Sequence, residues 1–394
     1  MDKGSAANTA NTAGTVKFGL IGCGLMGREF ASASLRWLHL QGGIPRPAIV
    51  AACDLSDANL AWFKRDPDTR FFYSDYRQLL QNQEVEAVYC AVPHHLHGAV
   101  YSDAIRAKKH LLGEKPFGMD AAGFARIQAA MRENPDVFVR VASEFPFYPA
   151  AWQMARWYAE GAFGTVIEAN FSIRHSSDMD LSKPINWKRT LVANGEYGCM
   201  GDLGIHTQHL PFRLGLWPQN VAAQLSNIAK TRPGPDGAPV ACETWDNAVL
   251  LCRGKNAAGD EFPMRFEMKR MAPGCANTVE YEILGLKRSA RFTTDDANAL
   301  HCTDSVGPRQ AWARLPVGQD TVFPAITGSI FEFGFSDSLL QMFAAFVSEL
   351  RGLPCPFGCF TPAEAARSHQ LLAAALKAHR EQAVIPLAIA GRRA

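Results

Sequence analysis

The sequence lacks an excess of charge of either sign. It has 40 lysine and arginine residues against 38 aspartate and glutamate residues, so the 394-residue chain has a net charge of +2. Such a small charge gives no broad attraction to nucleic acid or to an anionic membrane, and we expect neither as a partner. The chain also lacks an apolar stretch approaching the roughly 20 residues that span a bilayer. The composition, with 47% hydrophobic residues, is that of an ordinary globular protein long enough for two domains.

Closely spaced cysteines are also scarce. The ten cysteines are scattered, and several of them, including Cys53, Cys90 and Cys252, lie inside apolar runs. This pattern predicts reduced, buried thiols in a cytoplasmic protein rather than disulfides. Cys355 and Cys359 form the one close pair, and no second pair with zinc-site spacing accompanies them, so we expect no metal. Residues 1–14 are small and polar and lack the apolar core of a signal peptide, which predicts a disordered tail.

A glycine-rich motif follows the first apolar run of the chain. Residues 16–21 have the length and apolar character of a strand buried on both faces. The spacing that follows is G-x-G-x-x-G, formed by Gly22, Gly24 and Gly27. In a dinucleotide site these glycines allow the tight turn, the approach of the pyrophosphate and the close packing of the next helix. That helix is predicted over residues 25–38, so Leu25 and Met26 would lie against the cofactor and the helix dipole would point at the phosphates.

An acidic residue ends the second apolar run. Residues 48–53 read as the second strand, and Asp54 follows them directly. A carboxylate at this place accepts hydrogen bonds from the hydroxyls of the adenine ribose and repels a 2′-phosphate, so we expect NAD rather than NADP. An ordinary strand-to-helix turn is the alternative, and we favour dinucleotide binding because of this acid.

Two further strands end in polar motifs. Residues 85–92 and residues 109–112 read as buried strands, and helical segments separate the strands throughout this half of the chain. The alternation predicts a doubly wound parallel sheet, in which ligands bind at the carboxyl ends of the strands. The residues predicted at those ends, beyond the glycine motif and Asp54, are Pro93, His94, His97, Glu114 and Lys115.

The second half has a different pattern. Strand-like runs separated by polar turns between residues 165 and 292 predict an antiparallel sheet, and two amphipathic helices are predicted over residues 336–351 and 362–379. A glycine-rich segment precedes Asp202 and His206, whose i, i+4 spacing places both side chains on one face of a helix.

Taken in this order, the motifs resemble those of the Gfo/Idh/MocA oxidoreductase family. The pieces are the glycine motif at 22–27, Asp54, Pro93-His94-His95-Leu96-His97 and Glu114-Lys115-Pro116. The resemblance implies an α/β protein with an NAD-binding Rossmann domain over residues 15–143. A substrate-binding and oligomerisation domain with a large, open, mostly antiparallel sheet would cover residues 144–394, and its last helix would pack back on the first domain.

The resemblance also implies the reacting residues. In the family the lysine of E-K-P and a D-x-x-x-H pair meet at the nicotinamide, which points to Lys115, Asp202 and His206, with a cis bond at Pro116. Neutral His206 can accept the hydroxyl proton of an alcohol, and Lys115 can stabilise the negative charge that develops on the oxygen. We expect further contacts to cofactor or substrate from Trp187, Lys188, Tyr148 and Glu144.

The sequence therefore predicts an NAD-dependent dehydrogenase that acts on a secondary hydroxyl of a sugar, cyclitol or glycoside, and a homo-oligomer, either a dimer or a tetramer. Two alternatives stay open. The first is an NAD-retaining glycoside hydrolase or lyase that works by transient oxidation and elimination. The second is a non-enzymatic, NAD-sensing protein. The sequence does not specify the sugar, the carbon that is oxidised or the physiological direction.

Overall fold

The computed structural model describes residues 14–308 and 310–387. In the first half, six parallel strands form one sheet in the order β3-β2-β1-β4-β5-β6. Their apolar runs are buried because helices cover both faces of a doubly wound sheet. The strands are β1 (Val16–Ile21), β2 (Pro47–Cys53), β3 (Phe71–Tyr73), β4 (Ala87–Cys90), β5 (His110–Gly113) and β6 (Val139–Val141).

The connecting helices begin where a polar side chain can hold the first free backbone N–H groups. Ser56, Asp75 and Asp120 each accept a hydrogen bond from the first turn of the helix that follows. The helices are α1 (Leu25–Leu35), α2 (Asp57–Phe63), α3 (Tyr76–Gln81), α4 (His94–Arg106) and α5 (Ala121–Glu133).

One of these helices differs from the prediction. The helix α1 ends at Leu35, three residues earlier than predicted, and a 3-10 turn over Trp37–His39 follows it. The helix α4 begins at His94, so residues 94–97 form its first turn. The predicted tail lies outside the described residues except for Gly14.

A second, larger sheet follows in the order β17-β16-β15-β14-β7-β13-β12-β9-β18, and β8 pairs with β12. Its pairs are antiparallel except for β7 with β13, so the predicted mostly antiparallel sheet is confirmed. The strands of this sheet are β7 (Val166–Arg174), β8 (Trp217–Pro218), β9 (Asn220–Ser226), β12 (Asn247–Lys255), β13 (Glu261–Lys269), β14 (Thr278–Gly285), β15 (Arg288–Thr293), β16 (Ala299–Asp304), β17 (Ala313–Pro316) and β18 (Ile385–Pro386). A separate hairpin is formed by β10 (Thr231–Pro233) and β11 (Pro239–Ala241).

The helices of this half are α6 (Pro149–Ala159), α7 (Leu191–Asn194), α8 (Cys199–Arg213), α9 (Phe335–Leu350) and α10 (Pro362–Glu381). The helix α8 is buried along nearly its whole length and packs on the inner face of the large sheet. The helix α10 begins with a capping box, in which the side chain of Thr361 accepts from the backbone N–H of Glu364 and the carboxylate of Glu364 accepts from the backbone N–H of Thr361. In the described part of the chain, no helix combines the length and apolar character needed to cross a membrane.

The helix α9 connects the two halves. Its Phe343 ring lies 4.6 Å from that of Phe30 and 5.4 Å from that of Tyr89, both in the core of the first sheet. The backbone N–H of Val141 donates to the carbonyl of Phe360, which bridges the edge of the first sheet to the later chain. The carboxyl ends of the parallel strands therefore face residues that come from both halves.

Candidate active site

The glycine motif forms a turn. At Gly22 and Gly27 a side chain would collide with the protein itself, whereas the space around Gly24 is open. Gly22 has a φ of +96°, and a Cβ there would lie 2.4 Å from the carbonyl oxygen of Ala91. A Cβ on Gly27 would lie 2.4 Å from the carbonyl oxygen of Gly22. A Cβ on Gly24 would meet no atom within 4 Å, and no side chain caps the first N–H groups of α1 there. This open helix start suits a pyrophosphate.

Asp54 closes the glycine turn from the neighbouring strand. Its carboxylate accepts hydrogen bonds from the backbone N–H groups of Cys23, at 2.7 Å, and Ser56, at 2.8 Å. Gly24, Asp54 and Asp75 line a cavity of about 600 Å³ at the carboxyl ends of β1, β2 and β4. Two carboxylates in this cavity disfavour a 2′-phosphate, as the sequence predicts for Asp54.

A second cavity of about 440 Å³ continues along the same sheet edge. Both cavities share Ala91, Val92 and Pro93 after β4, so they form the two ends of one cleft. The predicted residues that line this second end are Leu25, Met26, Pro93, His94, Glu114, Lys115, Glu144, Trp187, Lys188, Asp202 and His206. The structure thus brings together the lysine, the aspartate and the histidine from the two halves.

Three cations surround the carboxylate of Asp202, which is only 2% exposed. The ammonium of Lys115 donates to its Oδ1 at 2.9 Å and to its backbone carbonyl at 2.8 Å. The ammonium of Lys188 donates to Oδ2 at 2.9 Å, and the fully buried guanidinium of Arg270 donates to the same oxygen at 3.2 Å. One carboxylate facing three cations leaves the cluster with an excess of positive charge.

The charges in this cluster shift one another's titration. Burial would raise the pKa of Asp202, but the three cations hold it well below its usual value. Burial would lower the pKa of Lys115, but Asp202 and Glu114 keep it above the usual value. Asp202 raises the pKa of Lys188, but burial and the charges of Lys115 and Arg270 outweigh this and bring it below the usual value. Asp202 and Lys115 therefore stay ionised near neutral pH.

His206 lies one helical turn after Asp202 on α8, as the i, i+4 spacing predicts. Its Nδ1 is buried and has no hydrogen-bond partner among the described residues, whereas Nε2 is not enclosed in this way, so the ring reaches the cavity wall through Nε2. Burial, followed by the charge of Lys115, lowers the pKa of His206 well below its usual value. The imidazole is therefore neutral near pH 7 and can accept a proton.

Glu144, which follows β6, is the acid next to His206. Its Oε2 lies 3.9 Å from Nδ1 of the histidine, and the side chain is buried. Burial, and then the charge of Glu114, raises the pKa of Glu144 to about 7. A carboxyl that titrates near neutrality beside a buried imidazole is a common feature of functional sites.

The segment that carries Lys188 is held rigidly. Trp187–Arg189 form a 3-10 turn. Arg189 is fully buried and pairs with Asp246 and with Asp178. Trp187 packs edge-on against His94, with 4.7 Å between the ring centroids. These contacts fix the ammonium of Lys188 over Asp202.

Two residues predicted to bind ligand lie behind the cavity wall. His97 is fully buried, with its ring nitrogens 2.7 Å and 2.8 Å from the carbonyl oxygens of Pro116 and Val92. It ties the segment after β4 to Pro116, and the peptide bond between Lys115 and Pro116 is cis as the resemblance implies. Tyr148 lies in an aromatic cluster with Phe145, Phe292 and Phe333 and does not line the cavity.

Several residues of the site escaped the sequence reasoning. Arg270, directly after β13, contacts Asp202 and sits in the run Met268-Lys269-Arg270-Met271, which has no motif to single it out. His175 and Asn277, next to the ends of the adjacent strands β7 and β14, line the cavity. They meet only because these strands pair, which no local pattern signals. Among the described residues, no group of three or more histidine, cysteine or acidic side chains is placed to hold a metal ion.

The nucleotide-binding sheet, the open glycine turn and the charged second cavity define an NAD-binding oxidoreductase. Residues 16–143 match the model of the oxidoreductase family with the NAD-binding Rossmann fold, and residues 152–291 match the GFO/IDH/MocA C-terminal domain. The chain belongs to the Gfo/Idh/MocA family.

Similar sequences include characterised dehydrogenases. Levoglucosan dehydrogenase of Pseudarthrobacter phenanthrenivorans is 25% identical over 301 residues, which cover 72% of this chain and 74% of that enzyme. Trans-1,2-dihydrobenzene-1,2-diol dehydrogenase of Sus scrofa is 29% identical over 197 residues, which cover 48% of this chain and 53% of that enzyme.

Solved structures share the whole fold. An oxidoreductase domain protein from Kribbella flavida matches with a TM-score of 0.85 and 23% identity, over 95% of this chain and 100% of that one. A levoglucosan dehydrogenase in complex with NADH matches with a TM-score of 0.84 and 19% identity, over 95% of this chain and 99% of that one. At this identity the likeness concerns the fold.

Proposed function

We propose that the protein is an NAD-dependent dehydrogenase that acts on a secondary hydroxyl of a sugar, a cyclitol or a related cyclic diol. The observation that carries the proposal is the convergence of Lys115, Asp202 and His206 in one cavity that continues the glycine-lined cleft. The curated relatives are named as dehydrogenases of levoglucosan, of a dihydrodiol and of inositol, which supports a polyhydroxylated or cyclic diol substrate.

The residues at the two ends of the cleft have separate tasks in this proposal. Gly24 and the amino end of α1 would hold the pyrophosphate, and Asp54 would hold the adenine ribose. Met26, Pro93 and Lys115 would lie along the nicotinamide end. When bound there, NAD supplies the acceptor for the hydride.

The reacting hydroxyl is held and deprotonated by the chain's own side chains. His206, neutral near pH 7, takes the proton from the hydroxyl through Nε2 as the carbonyl product forms. The ammonium of Lys115 donates a hydrogen bond to the same oxygen and stabilises the negative charge that develops on it. Asp202 keeps Lys115 charged and fixes its direction by accepting from it at 2.9 Å. In the reverse direction, protonated His206 returns the proton.

The cavity also supports a cyclic substrate. Phe145 and Phe335, whose ring centroids lie 6.3 Å apart, line it together with the polar side chains of His175 and Asn277. Flat aromatic faces suit the C–H face of a ring, while polar groups fix its hydroxyls. We propose that these four side chains contact the part of the substrate that does not react.

A substrate panel with purified protein tests the proposal. The protein is mixed with NAD and with inositols, hexoses, levoglucosan and a cyclic diol, and the absorbance of reduced nicotinamide is followed, while calorimetry measures NAD binding directly. We expect turnover with at least one of these polyols. Cleavage of a glycoside without net reduction of NAD would indicate the hydrolase instead. Tight NAD binding with no turnover of any kind would favour the sensing protein, and loss of both turnover and binding would overturn the whole assignment.

A further inference from the structure

His206 has one nitrogen that faces the cavity and one that faces an unused acid. Nδ1 is buried without a hydrogen-bond partner among the described residues, although an unpaired buried polar atom is costly. Among the described residues, the one carboxyl group within 4 Å of Nδ1 is that of Glu144, whose Oε2 lies 3.9 Å away. The two atoms are too far apart for a hydrogen bond, and a side-chain shift of about 1 Å would bring them to bonding distance.

The groups around this pair come from several elements. Glu144 faces Glu114 and Lys115 after β5, together with the phenols Tyr89 on β4, Tyr148 before α6 and Tyr281 on β14. His206 faces, besides Glu144, the charged or titratable groups Lys115, Asp202, His209 and Lys188. The buried acid Glu114 and the loss of water favour the protonated form of Glu144, whereas Lys115 opposes them, and the resulting pKa of about 7 places both forms in the physiological range.

We propose that Glu144 sets which nitrogen of His206 carries the proton, and so sets the direction in which the site works. When ionised, Glu144 accepts a hydrogen bond from Nδ1–H and leaves Nε2 free to accept a proton. When protonated, its O–H donates to Nδ1, and Nε2 then carries the hydrogen. Glu144 is a positioning residue in this scheme, which rests on the proposed proton transfer at His206.

The number of protons on the Glu144–His206 pair determines whether the pair supports oxidation or reduction. Oxidation of the alcohol needs the pair with one proton, on Nδ1, because Nε2 must accept the proton that leaves the hydroxyl. Reduction of the ketone needs the pair with two protons: Nε2–H gives its proton to the carbonyl oxygen as the hydride arrives at the carbon, and the proton of Glu144 moves to Nδ1, so that the imidazole stays neutral. The rate of oxidation should therefore rise, and the rate of reduction should fall, as the pH increases through the pKa of the Glu144–His206 pair.

The pH dependence of kcat/KM in both directions tests the proposal. With the wild-type protein, we expect oxidation to fall about tenfold per pH unit below a midpoint near 7, and reduction to fall in the same way above it. In Glu144→Gln the amide cannot titrate, so the midpoint should move to lower pH, because burial holds the pKa of His206 itself well below its usual value. The exposed Glu381→Gln serves as the matched control and should keep the wild-type profile.

A second readout separates failure of this inference from failure of the proposed function. Nitrogen NMR of the protein with labelled histidine reports which ring nitrogen of His206 carries hydrogen, and it needs no turnover; the His206→Asn variant assigns the signal. We expect the hydrogen to move from Nε2 to Nδ1 as the pH rises through 7, and this change to be absent from Glu144→Gln. A His206 signal that does not change with pH in the wild type, or a kinetic midpoint unchanged by Glu144→Gln, would overturn the inference. A tautomer change without oxidation of any polyol would instead overturn the dehydrogenase.

Discussion

The two ends of the cleft differ in whether backbone or side chains form most of the site. The glycine end is made largely of backbone, from residues 22–27 and the strand end at Asp54, and its carboxylate is held by two backbone N–H groups. The charged end is made of side chains from the segments that follow β4, β5 and β13, from α8 and from the 3-10 turn at 187–189. In the proposed function, cofactor binding therefore depends on local chain geometry, whereas the reaction depends on charges brought from distant parts of the chain.

The effect of a substitution on function and on stability should therefore differ between the two ends. At the charged end, Asp202 and Arg270 are buried, the two lysines are partly buried, and each group needs its partners, so removal of one group alters both the proposed reaction and the stability. At the glycine end, the space around Gly24 is open, so a small group added there changes ligand binding with little effect on folding. The predictions below test this contrast, beginning with the largest expected effect.

The largest effect is expected from Lys115→Met. The substitution removes the ammonium that would stabilise the reacting oxygen, and loss of one such donor costs about 10²–10³-fold in kcat. NAD affinity, measured by calorimetry, should stay within about threefold, because the glycine end supplies most of the binding contacts. The exposed Lys377→Met is the control and should retain full activity. Unchanged turnover in Lys115→Met would remove the lysine from the mechanism.

Asp202→Asn should damage stability most. The substitution leaves Lys115, Lys188 and Arg270 without their shared carboxylate, and an unpaired buried charge costs about 3 kcal/mol or more. Asp54→Asn is the matched change at the other end. It should cost about 1 kcal/mol, because the amide oxygen still accepts from one backbone N–H. Urea unfolding of both variants measures the difference, and equal losses would contradict the contrast.

Two glycine substitutions separate ligand space from protein packing. A Cβ at Gly24 meets no protein atom within 4 Å, so Gly24→Ala should keep its melting temperature, while crowding of the pyrophosphate costs about 1–3 kcal/mol of NAD binding. Gly27→Ala should instead lose about 1–3 kcal/mol of stability, because its Cβ would lie 2.4 Å from the carbonyl oxygen of Gly22. Calorimetric titration and thermal melts of both variants test this. A Gly24→Ala protein that binds NAD normally would refute the assigned position of the pyrophosphate.

The smallest effect is expected on the stability of the protein at acidic pH. The folded-state pKa of His206 is depressed, so the folded protein keeps this imidazole neutral while the unfolded chain binds a proton below its usual pKa of about 6.5. Its contribution to stability is therefore complete above that pH and declines as the pH falls. Between pH 6.5 and 5.5, His206→Asn should lose about 1 kcal/mol less stability than the wild type. Urea unfolding at these two pH values measures this, and parallel losses would show that His206 is already protonated in the folded protein.

The features that the sequence predicts are those that contiguous segments of the chain determine. They are the glycine turn, Asp54 and the helix face that carries Asp202 and His206, all of which local backbone geometry places. Arg270 could not be found, because its approach to Asp202 depends on the pairing of β13 with β7 and on the packing of α8 beneath them. His97 and Tyr148 were predicted to bind ligand since they flank the site in sequence, yet in the structure their rings face the core. Burial of a flanking ring is decided by tertiary packing, which residue spacing does not report.

The anchoring of α9 and Phe360 on the first sheet has a consequence for biosynthesis. The nucleotide-binding half leaves the ribosome first, yet Phe18, Phe30 and Tyr89 gain their contacts with Phe343 and Phe346 only when residues 335–360 emerge. Until then, that part of the nascent sheet is exposed to solvent or covered by a chaperone. Maturation of the cofactor cradle is thus timed by the completion of translation, and a chain stalled midway would have neither a finished core nor a working cleft.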